Sequence, residues 1–161
     1  MHEYYMQQAL LLAKEAAAAG EVPVGCVIVR DGQIVGRGRN RREEKQSTLS
    51  HAEIEAILEA NQTLNSWRLD DCTLYVTLEP CPMCAGAIVQ ARIPKIYIGS
   101  MNPKAGCAGS VLNLLEEKGF NHQVEMEIGL LGEECSLMLK EFFKELREKR
   151  KAEKEKQKEE V

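Results

Sequence analysis

The sequence predicts an α/β protein, a mixed five-stranded sheet with helices on both faces. Three observations carry this. Short β-branched runs alternate with longer segments of helical composition. An Asp31-Gly32 dipeptide between the first two runs is a hairpin signal, so that pair is antiparallel. The third and fourth runs flank a helical stretch, and strand–helix–strand order implies a parallel pair with a right-handed crossover.

The elements follow in order. Residues 6–19 are rich in Ala, Leu and Lys and are followed by Gly20, a helix with a glycine stop. Residues 24–29 form the first strand and 33–36 the return strand. Residues 37–49 are polar and read as a loop, and a helix follows over 51–60. Residues 73–78 are a strand ending at a Pro-Cys cluster, from which a helix runs to about residue 91. Residues 95–99 are the fourth strand. A Gly-containing loop over 102–109 leads to a short helix near 111–116, residues 124–128 form the fifth strand, and a long helix starts at Gly132. Its apolar stripe ends after Phe143, and residues 149–160 hold only charged residues, Ala and Gln. That end reads as a solvated helix or a frayed terminus. Residues 1–150 are read as one catalytic domain and 151–161 as a charged tail, with no internal repeat.

Composition narrows the class. The 161 residues suit a single domain, with 44% hydrophobic and 29% charged residues as in ordinary globular chains. No apolar run approaches the ~20 residues of a membrane span, and the first residues lack the layout of a signal peptide. Cys26, Cys72, Cys107 and Cys135 sit among apolar or small neighbours, as free buried thiols do, so a reducing cytoplasm is expected. Net charge is −4, which argues against general affinity for nucleic acid. Residues 140–161 nevertheless carry nine Lys/Arg against seven Glu, leaving +2 there and −6 elsewhere. A small structured RNA can be held by a local basic patch.

The chemistry lies in two clusters, His51-Ala52-Glu53 and Pro80-Cys81-Pro82-Met83-Cys84. One imidazole and two thiolates are three ligands for zinc, and a tetrahedral ion with only three protein ligands keeps a position open for water. Such an ion can bring the pKa of water to about 7. A structural site would close that position with a fourth Cys or His; here an acid, Glu53, stands beside the His instead and can move protons. Residues two apart on a helix point about 200° apart, so His51 and Glu53 meet one ion only at a helix tip. Pro82 favours a first helical turn between the two cysteines. Two helix N-termini are therefore expected to converge on the metal, their partial positive charge favouring thiolate. Two plainer readings compete. Ser50-His51-Ala52-Glu53 fits a capping box, and an isolated Cys-x-x-Cys fits a redox pair.

On these residues the chain resembles the zinc-dependent nucleobase deaminases, whose signature is H-x-E … P-C-x-x-C. Beyond the metal motif it resembles the bacterial tRNA-specific adenosine deaminases of the cytidine deaminase-like superfamily. That likeness runs from the first helix to about Arg147. It includes Glu21-Val22-Pro23-Val24-Gly25, Asn40, residues 74–87 around the cysteines, Gly106-Cys107-Ala108-Gly109-Ser110, Asn121-His122 and Phe142-Phe143. The resemblance implies a three-layer α/β/α cytidine deaminase-like fold. It also implies hydrolytic conversion of adenosine to inosine at the wobble position (34) of a tRNA anticodon, usually of an arginine tRNA, by a cytoplasmic homodimer. On it His51, Cys81 and Cys84 hold one zinc per subunit and Glu53 shuttles protons. Asn40 would read the flipped base, and Asn102, Lys104, Asn121, His122, Phe143 and Arg147 would contact the anticodon stem–loop. No membrane partner is implied. A free nucleoside or guanine deaminase would share the zinc motif without needing loop contacts. The chain departs from its likeness at one position. Relatives commonly carry Asp where this chain has Asn102, four residues before Gly106, and an acceptor there would meet a ribose 2′-OH.

Overall fold

The computed structural model describes residues 1–160. Its elements are α1 (His2–Ala18), β1 (Gly25–Arg30), β2 (Gln33–Arg39), α2 (Arg42–Lys45), α3 (Ala52–Leu64), β3 (Thr73–Leu78), α4 (Pro82–Gln90), β4 (Lys95–Ser100), β5 (Glu125–Ile128) and α5 (Gly132–Glu159). The five strands lie in the order β2-β1-β3-β4-β5. Strand β1 is antiparallel to both its neighbours, and β3, β4 and β5 are parallel. The expected hairpin is present, with Asp31 and Gly32 both at positive φ, as a two-residue turn of that hand requires.

Strict alternation along the three central strands divides the core in two. Cys26 and Ile28, Leu74 and Val76, and Ile96 and Ile98 face α3 and α4 in one apolar cluster. Val27 and Val29, Tyr75 and Tyr97 face the other way, where Tyr5, Met6 and Ala9 of α1 and Cys135 of α5 cover them. Burial of each Val, Leu, Ile or Met among them contributes about 1.5–3 kcal/mol. A slip of one residue would exchange the two faces, so the register is strongly specified. The outcome is the three-layer α/β/α arrangement.

What positions the functional end is the way α3 lies on β2. Gly36 and Gly38 lack side chains where the helix passes, and a Cβ at Gly38 would run into the carbonyl oxygen of Ala52, one at Gly36 into that of Ala56. On the helix side the contact is made by Ala52, Ala56 and Ala60, all fully buried. Backbone thus meets backbone, and the N-terminal tip of α3 has no freedom to slide. Two strands over, beyond β1, β3 runs through Leu78 towards α4, whose first residues are Pro82 and Met83.

Several boundaries differ from the sequence reading. The short helix expected near 111–116 is absent. An isolated bridge between Ala108 and Asn113 holds the segment open, and the Asn113 side chain accepts from the Glu116 N–H, a local bond that competes with helix. The polar stretch 37–49 is more ordered than a loop. Strand β2 continues to Arg39 on its pairing with Gly25, and the single turn α2 follows. Helix α1 starts at His2, whose ring is bonded to the hydroxyls of Tyr75 and Tyr97, contacts too distant in sequence to be foreseen. Helix α3 passes residue 60 and stops where Asn65 adopts the left-handed conformation. Helix α5 runs unbroken to Glu159 with its last turns exposed, the solvated helix of the two readings offered.

The α3–β2 contact generates a stability prediction. Gly38→Ala should destabilise the protein by about 1–3 kcal/mol through overpacking, read as a lowered urea midpoint at unchanged slope. An unchanged midpoint would mean that α3 is free to shift.

Candidate active site and metal centre

His51 immediately precedes α3 and Cys81 immediately precedes α4, each at the N-cap position, with Pro82 and Cys84 in the first turn of α4. The two helix tips therefore meet. Both thiol sulfurs lie 3.5 Å from His51 Nδ1, and the three ligand atoms are all within 4.8 Å of one another. A tetrahedral ion about 2.0–2.3 Å from each donor needs donor–donor edges of roughly 3.5 Å, so the spacing fits zinc. Nδ1, not Nε2, is the nitrogen turned to the sulfurs.

The thiols already behave as a ligand pair. Hydrogen bonds from the Cys84 thiol and from His51 hold Cys81 down to about 4. That sharing, together with burial, pushes Cys84 well above an ordinary thiol. The bond to Cys81 also raises His51. A divalent cation held by these residues would take the place of the shared proton, since a cysteine ligates as thiolate.

Glu53 is the second residue of α3 and only 4% exposed. Burial pushes its carboxyl up to about 7, against the pull of its own backbone N–H. The capping-box reading fails on position. The helix begins at Ala52 with His51 before it, and no side chain caps it. A cavity of about 220 Å³ opens in front of Glu53, His51 and Cys81. It is smaller than the ~300–1,000 Å³ of drug-sized ligand pockets and suits a single ring system. Val22, Val24 and Leu78 give it apolar walls; Asn40 and Asn102 give it amides.

Asn40 is 8% exposed and held from both ends: its Nδ2 donates to the Val22 carbonyl at 3.3 Å, and its Oδ1 accepts from the Arg42 N–H at 3.1 Å. A second amide proton and a second lone pair remain to face the cavity. Lys104 is exposed on the adjoining loop and does not line the cavity. Asn121 and His122 lie outside it too, and His122 Nε2 is bonded to the Ile93 carbonyl at 2.8 Å. Phe143 and Arg147 line a separate groove of about 410 Å³ on α5, whose opposite wall includes Val22 and Arg42. Those two residues also border the cavity, so the two spaces adjoin.

Sequence reasoning missed two buried acids that hold the walls. Glu79 Oε1 accepts from the Asn102 N–H and the Ser110 hydroxyl, and Oε2 from the N–H groups of Ala108 and Ser110. Gly106 passes so close that a Cβ there would strike the Glu79 carboxylate. Burial alone would raise Glu79, but the Ser110 hydroxyl and the three backbone N–H groups together carry it below the ordinary carboxylate range. Glu21 does the same for α2, accepting from the N–H groups of Glu43 and Glu44. Both partners are segments more than twenty residues away, and no local pattern marks such acids. Arg42, shared by the two spaces, was also overlooked.

Comparison with known proteins agrees with this geometry. Residues 1–147 match the family model of the MafB19-like deaminases. The tRNA-specific adenosine deaminase of Bacillus subtilis (strain 168) is 53% identical over 150 residues, 93% of this chain and 93% of that protein. A solved structure from work on A-to-I editing by tRNA:A34 deaminases has a TM-score of 0.82 at 39% identity, over 84% of this chain and 99% of that one. A guanine deaminase structure from Bacillus subtilis shares 41% identity, but over 63% of this chain and 65% of that one, with a TM-score of 0.60.

The Glu79 bonds generate a pH-dependent prediction. Gln has one acceptor oxygen and would turn an NH₂ against two donors, so Glu79→Gln should lose about 2–3 kcal/mol at neutral pH. A depressed carboxyl stabilises the fold fully above the unfolded pKa near 4.3, and loses that contribution as pH falls through the lower folded value. The gap between the two proteins should therefore narrow below about pH 4. Denaturation at pH 7 and pH 3.5 measures it, and a gap independent of pH would refute the assignment.

Proposed function

The chain belongs to the bacterial tRNA-specific adenosine deaminases, and on that premise we propose that it converts adenosine to inosine at the wobble position (34) of a tRNA anticodon, that of an arginine tRNA, as a zinc-dependent hydrolase. The observation that carries the reading is Glu53, buried at a base-sized cavity beside three metal donors. His51, Cys81 and Cys84 would hold one zinc per subunit, and the bound ion supplies the Lewis acidity that makes water ionisable near neutral pH. Adenosine and water give inosine and ammonia. Glu53 takes a proton from the attacking water, delivers it to the ring, and serves the departing amine in turn. A carboxyl poised near 7 can both accept and release a proton at neutral pH.

The remaining residues orient the base and the strand. Asn40, fixed by Val22 and Arg42, reads the flipped base with its free amide proton and lone pair. The apolar walls hold the ring and exclude water. Asn102, Lys104, Asn121, His122, Phe143 and Arg147 contact the anticodon stem–loop, Phe143 by stacking on an unpaired base. The working unit is a homodimer in the cytoplasm, with residues 1–150 as the catalytic domain. No helix of the described residues is long and apolar enough to cross a membrane.

Purified with zinc, the protein should form inosine in an anticodon stem–loop and leave free adenosine, cytidine and guanine unchanged. Equal activity on the free compounds would favour the rival reading as a nucleoside or guanine deaminase. Glu53→Gln should retain about one zinc per chain while turnover falls by ~10²–10⁴-fold or more, whereas Cys84→Ala should lose the metal. Full zinc in the Cys84 variant by elemental analysis would refute the ligand set.

Asn102 generates a further prediction. Its N–H is bound by Glu79 while its side chain borders the cavity. Asn keeps one acceptor oxygen but lacks the charge of Asp, so discrimination by the ribose 2′-OH should be weaker than in Asp-bearing relatives. Asn102→Asp should raise the RNA-to-DNA rate ratio on matched hairpins; an unchanged ratio would leave Asn102 as a turn residue before Pro103.

A further inference from the structure

Helix α5 continues well beyond the body of the protein, and its charges are sorted by face. At about 100° per residue, Lys140, Lys144 and Arg147 share one arc of about 120° with Arg150, Lys151, Lys154 and Lys158, and Phe143 lies in the same arc. Every glutamate between residues 141 and 160 falls on the remaining arc, together with the other two cations, Lys149 and Lys156. The stretch is only +2 as a whole, so the segregation is visible only once the helix is known to be continuous. All seven cations are exposed. Among the described residues none of them is ion-paired with a carboxylate.

The position of this face matters as much as its charge. At Phe143, Arg147 and Arg150 it forms one wall of the groove whose other wall holds Arg42, and Arg42 borders the metal cavity. The cationic face thus begins at the mouth of the active site. It then runs for about 22 Å from Phe143 to Lys158, at 1.5 Å per residue.

We infer that this face is an electrostatic rail for the phosphate backbone of the double-helical stem below the target loop. The inference rests on the RNA-hairpin reading above and names the part of the substrate that α5 engages. A-form RNA presents its phosphates and 2′-hydroxyls as a regular surface, recognised by shape and charge rather than by sequence. A straight row of unpaired cations matches such a surface, whereas a single base or a short loop would need only the groove. The glutamates on the opposite face keep net charge low and so limit indiscriminate binding to polyanions.

The test uses the zinc-loaded full chain and two hairpins with the same loop, one with a long stem and one trimmed to a few base pairs. The wild type should show a higher kcat/KM on the long stem. Lys151→Gln/Lys154→Gln/Lys158→Gln should lose about tenfold on the long stem through KM, with a log–log salt dependence flatter by about 2. It should match the wild type on the short stem. Gln is as good a helix former as Lys, so the helix persists. Glu153→Gln/Glu155→Gln/Glu159→Gln raises the net charge by the same amount on the opposite face and should change the preference little. A wild type with equal efficiency on both stems overturns the rail alone, as does a triple-lysine variant with unchanged salt slope. Opposite and comparable shifts in the two triple variants would make the effect one of net charge and overturn it too. Stem independence with lysine-dependent binding to phosphatidylserine vesicles would assign the face to a membrane surface instead. A wild type that deaminates neither hairpin removes the proposed function, and the rail with it.

Discussion

The site depends on two helix N-termini held against one point. Neither α3 nor α4 is fixed there by its own capping, since neither has a side-chain cap. Each is fixed by what lies beneath it: α3 by backbone contact with Gly36 and Gly38, α4 by following directly from the central strand β3. The convergence brings His51, Cys81 and Cys84 to ligand spacing, and it places two positive helix ends where thiolates must form. Metal binding would add its own free energy to this arrangement, but the geometry is already set by the sheet.

Buried carboxylates illustrate how hydrogen bonding decides a residue's part. Glu21, Glu53 and Glu79 are all less than 5% exposed. Glu79 meets four donors and stays ionised below the ordinary range, which makes it a staple for the loop that carries Asn102. Glu21 staples α2 through two backbone N–H groups. Glu53 has no comparable set of donors, and burial therefore raises it to about 7. Desolvation acts on both Glu79 and Glu53; the number of N–H and O–H groups aimed at each sets the sign of the result. Two acids build the walls, and the third borders the cavity without such bonds.

Helix α5 plays two parts along its length. Its first turns close the face of the sheet opposite α3 and α4, with Cys135 buried against the tyrosines of β3 and β4. Farther along, Phe142, Phe143 and Leu146 border open grooves, and beyond them every side chain through residue 160 is exposed. A helix with so little packing persists on its composition of Lys, Glu, Arg, Ala and Gln, all good helix formers. The polar composition that made this end resemble a frayed terminus is also what keeps it helical.

By itself the sequence determined the sheet, the hairpin at Asp31-Gly32, the parallel β3–α4–β4 unit and the metal triad. Each is written in local signals: alternation of period two, a turn dipeptide, a proline at a helix start, ligands spaced for one ion. The choice between Glu53 as a cap and Glu53 as an acid was not legible, because both use the same letters at the same spacing. The position of the helix start and the burial of the carboxyl removed the cap. The loop staple at Glu79 and the meeting of Arg42 with α5 were likewise decided by tertiary structure, through contacts between segments far apart in the chain, and such contacts leave no periodic trace in either segment. The absent helix at 111–116 has a nearer cause, the bridge from Ala108 to Asn113 and the Asn113 side-chain bond, which compete with helix inside the segment itself. Local chemistry is written along the chain, while the environment that tunes it exists only once distant segments have met.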